Sequence, residues 1–139
     1  MDRTPVQNVA RLVGIVFLLL GVAGFIPGVT TNLYEGLEFA GDDGTAELLG
    51  LFEVSVLHNI VHGLFGIAGL ALAATASGAR TYLIGGGAIY LVLFLLGIVG
   101  GGDWVPLNDA DNWLHLVLGA GMIGLGVITT RESRVTSTA

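Results

Sequence analysis

The chain has 139 residues, of which 53% are hydrophobic and 12% charged, and its formal net charge is −6. A water-soluble domain carries about 25% charged residues, so this composition argues against one. There is no cysteine, which excludes disulfides, iron–sulfur clusters, thiolate metal ligands and thioether-linked haem on this chain.

Four apolar segments are long enough, or nearly so, to cross a hydrocarbon core of about 30 Å, which takes about 20 helical residues. They lie at 9–26, 54–76, 82–100 and 113–130, and Arg11 is the one charged residue among them. The first segment lacks the small-residue cleavage pattern of a secretory signal, so we treat it as a span. We predict one membrane domain over residues 1–139, an all-α integral membrane four-helix bundle.

The connections between these segments differ in length. The second and third spans are joined by the short turn SGART, which contains Arg80, so these helices should be antiparallel neighbours. The first outer loop, 27–53, is much longer. Within it, TAELLGLF at 45–52 begins with a threonine suited to cap a helix. This stretch predicts a short interfacial helix or an outward extension of the second span.

The arginines indicate an orientation. All five lie before or at the start of the first span, between the second and third, or after the fourth, whereas nine of the eleven acidic residues fall in the other two loops. By the positive-inside rule the arginine side is the cytoplasm. We therefore predict a multi-pass protein of the plasma membrane with both termini in the cytoplasm and acidic loops outside.

Two pairs of segments resemble each other. VFLLLGVAG at 16–24 parallels VLFLLGIVG at 92–100, and NIVHGLFG at 59–66 parallels NWLHLVLG at 112–119. The shared N-x-x-H-x-x-x-G pattern predicts two similar helical hairpins related by an axis along the membrane normal. Small residues let helices approach closely in a membrane, and we predict packing surfaces at Gly63, Gly66, Gly69 and Gly119.

The signatures HNIVHGLFGIAGL and NWLHLVLGAGM, with the four-span layout, resemble the bacterial membrane family known as domain of unknown function 4383. The resemblance covers nearly the whole chain. It implies a fold and a membrane location, and no reaction. The matching residues are His58, Asn59, His62, Gly66, Asn112, Trp113, His115 and Gly119.

The histidines allow two interpretations. His58 and His62 lie one helical turn apart on one face. With His115 and a carboxylate from Glu53 or Asp111, they could hold zinc, copper or iron, or a histidine from each hairpin could hold a haem.

The alternative is polar packing. Asparagine and histidine side chains form hydrogen bonds between membrane helices, and the predicted interhelical residues are Asn59, His62, Asn112 and His115. We favour this interpretation because the repeat explains two of the three histidines. Asn112 or Asp111 would also cap the fourth helix.

The sequence favours a non-enzymatic role. The spans lack the mid-membrane ionisable groups that ion translocation needs, which makes a transporter subunit a weaker alternative. No Ser-His-Asp spacing or phosphate-binding glycine loop is present. We predict a structural or accessory membrane protein without a resident cofactor, a transition metal or haem being the alternative. Its expected partners are the lipid bilayer and a larger membrane complex or further copies of itself, and not nucleic acid.

Overall fold

The computed structural model describes residues 3–100 and 108–136, without the side chains of residues 132–136. This part of the chain is mostly helical and also contains a small sheet. In chain order the elements are α1 (Pro5–Ala23), β1 (Thr30–Thr31), α2 (Leu33–Gly36), β2 (Glu47–Leu48), β3 (Phe52–Glu53), α3 (Val56–Leu72), α4 (Ala76–Ile98) and α5 (Asp109–Thr136).

The four long helices overlap the four predicted spans, but their ends differ: α1, α4 and α5 begin before the predicted starts, whereas α3 is shorter than its predicted span at both ends. α1 begins at Pro5, before the predicted start at residue 9. Proline suits the first turn, where its missing N–H has no intrahelical partner to lose. The Thr4 N–H donates to Gln7 Oε1 at 3.1 Å. A hydropathy pattern finds the apolar centre of a helix and misses such a start.

The connection between α3 and α4 is only residues 73–75. Gln7 Nε2 donates to the carbonyl oxygens of Ala73 and Ala74, at 3.1 and 2.9 Å, and so satisfies two carbonyls near the end of α3. The Thr75 side chain caps α4 by accepting the Gly78 N–H at 3.0 Å. Because α4 starts there, Arg80 lies inside a helix, and its predicted place in a turn was wrong.

The residues between α1 and α3 form a three-stranded antiparallel sheet in the order β1-β2-β3, with Leu48 paired to Thr30 and to Phe52. The short helix predicted at 45–52 was wrong, since these residues belong mainly to β2, β3 and the turn between them. Leu49 and Gly50 have φ angles of 59° and 67°, which end any helix and reverse the chain. The short helix of this loop is α2 instead.

The long helices pack as two antiparallel pairs, α1 with α3 and α4 with α5, and α1 also contacts α4 and α5. Their core contains Phe17, Leu83 and Tyr90. The end formed by Ala23, Val56, Ile98 and Asp109 lies beside the sheet and is called the sheet end. The opposite end, formed by Pro5, Leu72, Ala76 and Arg131, is called the arginine end.

Glycines permit the closest helix contacts in both pairs. A Cβ atom on Gly66 would lie 2.7 Å from the carbonyl oxygen of Gly14, and one on Gly87 would lie 2.7 Å from the carbonyl oxygen of Gly119. A Cβ on Gly69 would meet the Tyr82 ring. At Gly63, by contrast, the Cβ position is open. Three of the four predicted packing glycines thus lie where a side chain would collide.

The outer faces of the helices are apolar. Leu12, Leu19, Leu64 and Val117 each expose at least 60% of their surface, which a water-soluble protein rarely does over contiguous faces. Within the described residues, three helices are long and apolar enough to cross a membrane, namely α1, α4 and the Asp109–Arg131 part of α5, and α3 is apolar but shorter. These are the features of a membrane protein.

Candidate functional site

The two histidines of HNIVH lie in the first turns of α3. Ser55 caps this helix, its side chain accepting the His58 N–H at 3.1 Å. The helical spacing then brings the His58 and His62 rings into edge-to-face contact, with centroids 4.2 Å apart and planes at 72°. The predicted pair therefore lies on one face of the helix, close to the sheet end.

Aromatic rings connect this pair to the third histidine. His62 packs on Phe17 with ring centroids 5.5 Å apart, Phe17 stacks on Tyr90 at 5.3 Å, and Tyr90 contacts His115 at 5.2 Å. We call His58, His62, Phe17, Tyr90 and His115 the histidine–aromatic cluster. It joins α3 to α1, α1 to α4 and α4 to α5. One histidine from each helix pair packs on an aromatic ring of its antiparallel partner helix.

The histidine–aromatic cluster contains all three histidines of the predicted metal site. Within the described part of the chain, no three His, Asp or Glu side chains are grouped so that they could hold a metal ion. His115 is only 2% exposed, and its Nδ1 has no hydrogen-bond partner among the described residues. An unprotonated imidazole nitrogen in this position can accept a hydrogen bond or coordinate a metal ion. The metal and haem hypotheses for His58, His62, His115 and Glu53 remain predictions.

The two asparagines of the repeated pattern occupy niches made by glycine. The Asn59 side chain is 1% exposed and lies against Gly24, at the sheet end of α1. The Asn112 side chain lies against Gly97, near the same end of α4. Neither amide atom of Asn59 has a hydrogen-bond partner in the described residues, nor has Asn112 Oδ1. Among the described residues, the contacts of Asn59 with Gly24 and of Asn112 Oδ1 with Gly97 are therefore steric and not hydrogen-bonded.

The cap of α5 involves a residue that the sequence interpretation missed. Asn108 Oδ1 accepts the Asp111 N–H at 2.9 Å, and Asp111 Oδ2 accepts the Asn108 N–H at 3.3 Å. This reciprocal pair is a capping box, in which two side chains satisfy each other's backbone donors. The N-x-x-D spacing of residues 108–111 was the signal that could have identified Asn108. Of the two predicted capping residues, Asp111 takes part in this cap, whereas the Asn112 side chain lies against Gly97.

Asp111 also connects α5 to the sheet. Its Oδ2 accepts the Glu53 N–H at 3.0 Å, and Asn108 Nδ2 donates to the Leu51 carbonyl oxygen at 2.9 Å. The Asp111 side chain is only 2% exposed. A buried carboxyl oxygen that accepts two backbone N–H groups leaves neither donor unpaired, and an unpaired buried donor would be costly. Asp111 thus holds β3 against the first turn of α5.

Glu53 lies beside this connection in a partly buried position. Its Oε1 is buried and has no hydrogen-bond partner among the described residues. Burial raises the pKa of Glu53 above its ordinary value of 4.5, and the nearby Asp42 and Glu47 carboxylates raise this pKa further. The Glu53 side chain is therefore poorly placed to carry a negative charge.

This environment makes the stability pH-dependent. Between the ordinary and the raised pKa, the folded state binds a proton at Glu53 more tightly than the unfolded state, so stability falls as the pH rises through that interval. Glu53→Gln should raise the Tm in detergent at about pH 7, with a smaller gain near pH 4. Glu35→Gln, which alters an exposed carboxylate on α2, is the matched control. An equal gain from both variants would contradict this account.

Comparison with known proteins gives one match. The model of the family described as domain of unknown function DUF4383 matches residues 7–128. No curated protein and no solved structure matches the chain.

Proposed function

The chain belongs to the DUF4383 family, whose domain has no known function, and on that premise we propose that it is a structural or accessory membrane protein and not an enzyme. In this proposal α3 is a fourth span, and the four long helices form a bundle in the plasma membrane. The protein acts through its assembled shape, alone or in a larger membrane complex.

The observation that carries the proposal is how the polar side chains of the repeated pattern are used. His62 and His115 pack on Phe17 and Tyr90, while the two asparagines fill niches beside glycine. A catalytic site needs an acid, base or nucleophile that can reach a substrate. Here the most buried side chains of the pattern, Asn59 and His115, lie in contacts between helices and are not exposed to a substrate.

Several contacts support the proposed duplication of a helical hairpin. Gly66 approaches Gly14 as Gly119 approaches Gly87. His62 contacts Phe17 as His115 contacts Tyr90, and the two aromatic rings stack on each other between the hairpins. Asn59 and Asn112 face equivalent glycines, Gly24 and Gly97. These pairs imply an alignment of α1 with α4 in which Gly24, and not Gly21, corresponds to Gly97.

Two features support α3 as a span and the proposed orientation. α3 has 17 residues, the lower end of the range of about 17 to 25 that spans a bilayer. Its outer face is apolar, with Ile60, Val61, Leu64 and Ile67 between 44% and 60% exposed. The arginine end would face the cytoplasm, in accordance with the positive-inside rule.

The proposal is tested by elemental analysis and an absorption spectrum of the detergent-purified protein, beside histidine variants. We expect no stoichiometric metal and no Soret band. His115→Ala should lower the Tm, at a cost of about 1–2 kcal/mol, because it removes the contact with Tyr90. His115→Phe is the matched variant that keeps an aromatic ring there, and it should lose less.

The second candidate function is metal or haem binding, which is favoured by the adjacent His58 and His62 rings and by the unpartnered His115 Nδ1. In that case a metal or chromophore would copurify with the wild-type protein. Its loss from His58→Ala, His62→Ala and His115→Phe alike would replace the packing proposal with the ligand proposal.

A further inference from the structure

The arginines of the described chain are concentrated at one end. Arg3, Arg11, Arg80 and Arg131 lie at or near the arginine end, whereas every aspartate and glutamate whose side chain the structure describes lies in the 27–53 loop or in the first turn of α5. These arginines therefore have no acidic partner among the described residues. In the sequence, Asp2 and Glu132 are the acids adjacent to this end.

Two of these arginines share a cavity. A crevice of about 950 Å³ lies where α1 begins and α3 ends, and Arg3 and Arg11 line it together with Gln7, Leu70 and Ala73. Its volume is at the upper end of the range of roughly 300 to 1,000 Å³ that is usual for small-molecule sites. We call it the α1–α3 crevice. It combines two guanidinium groups with an apolar wall.

The other helix pair has a smaller counterpart. Arg80 and Arg131 line a cavity of about 180 Å³ with Val127 and Thr130, where α4 begins and α5 runs past it. The two cavities are found at corresponding places in the two hairpins. Of these two cavities, the α1–α3 crevice alone reaches the size of a ligand site, so the second pair of arginines provides an internal control.

The position of Arg11 restricts what can occupy the crevice. Arg11 is seven residues beyond Thr4, which places its backbone about 10 Å further along α1. Its side chain is half-buried, and an arginine at such a depth reaches back toward the membrane surface. Its guanidinium can then bind an anion at that level, and Arg3 lies in the same crevice. An anion held between them would lie at headgroup level.

We propose that the α1–α3 crevice binds the headgroup of an anionic phospholipid. The proposal rests on the membrane orientation given under the proposed function, because anionic lipids concentrate in the cytoplasmic leaflet. Arginine binds phosphate oxygens through two parallel N–H donors. Leu70 and Ala73 supply an apolar wall for the start of an acyl chain, which a free phosphate ion would leave unused.

The test is a titration of the detergent-purified chain, followed by native mass spectrometry. Dioleoyl phosphatidylglycerol, dioleoyl phosphatidylcholine and inorganic phosphate are added separately. We expect phosphatidylglycerol to bind about tenfold more tightly than phosphatidylcholine, and the double variant Arg3→Gln/Arg11→Gln to lose about tenfold of that affinity. The matched double variant Arg80→Gln/Arg131→Gln removes the same charge and should change it by about twofold at most.

The proposal is contradicted if both double variants lose affinity for phosphatidylglycerol equally, if the two lipids bind with the same affinity, or if inorganic phosphate displaces phosphatidylglycerol. Should the first double variant not fold, Arg11→Lys, which keeps the charge and loses the paired donors, should retain a measurable part of the binding that Arg11→Gln loses.

The membrane orientation of the protein is tested by a separate labelling experiment. The chain has no cysteine. The single variants Asp42→Cys and Ser77→Cys can therefore be labelled in whole cells with a maleimide that does not cross the membrane. Labelling of the Ser77 variant alone would overturn the orientation without altering the lipid titration.

Discussion

Replacing Gly66 with alanine is expected to destabilise the protein by about 3 kcal/mol, because the new methyl group has no room against a neighbouring backbone. A Cβ at this position would lie 2.5 Å from the Leu18 nitrogen and 2.7 Å from the Gly14 carbonyl oxygen. Both atoms belong to α1, so no side-chain rotation relieves the collision. The measurement is thermal unfolding in detergent, followed by circular dichroism.

Gly63→Ala is the matched control, since it introduces the same methyl group one turn away in the same helix. No atom lies within 4 Å of the Cβ position at Gly63. This variant should be neutral or gain up to about 1 kcal/mol, because alanine is the better helix former. If the two variants unfolded at the same temperature, α1 and α3 would not be in the close contact described above.

Replacing Asp111 with alanine is expected to cost about 2–3 kcal/mol, because it leaves two backbone donors without their acceptor. The donors are the N–H groups of Glu53 and Asn108, at 3.0 and 3.3 Å. One lies in β3 and the other at the start of α5. The sheet should therefore separate from α5, and limited proteolysis of the 27–53 loop should become faster in the variant.

Asp109→Ala is the control for charge, because Asp109 is an exposed residue of the same helical turn. It should leave both the Tm and the proteolysis rate close to those of the wild type. Asp111→Asn keeps one acceptor oxygen and should fall between the two. A loss of stability as large in Asp109→Ala as in Asp111→Ala would mean that charge near the helix start matters and the hydrogen bonds do not.

The helices could be predicted from the sequence because a long apolar segment is a strong local signal. Each predicted span overlaps one of the four long helices. The ends were less predictable, since they depend on contacts with distant residues. Gln7, for example, satisfies carbonyls at the end of α3, 66 and 67 residues away. Hydropathy carries no information about such a contact.

The loop between α1 and α3 was harder to predict for a different reason. TAELLGLF has the composition of a short helix, and its leucines suggested an apolar helical face. In the structure Leu48 instead pairs with Thr30 and Phe52. The pairing with Thr30 depends on a residue distant in the sequence, and a two-residue strand gives almost no local pattern.

The candidate site was predictable in part. The spacing of His58 and His62 placed their rings together, and the repeated N-x-x-H pattern drew attention to His115. Phe17 and Tyr90, which lie between the histidines, had no signal beyond being aromatic residues in apolar spans. Under the proposed duplication the alignment of α1 with α4 differs from the predicted one, because runs of leucine, valine and glycine match in several registers.

The bond from Glu53 to Asp111 has a consequence for the order in which the newly made chain can reach its final state. The α1–α3 pair is complete once residue 74 has been synthesised, and the glycine contacts between these two helices need nothing later in the chain. The acceptor that fixes β3, however, belongs to the last helix. The first hairpin can therefore assemble early during synthesis, while its sheet is secured only after α5 has emerged.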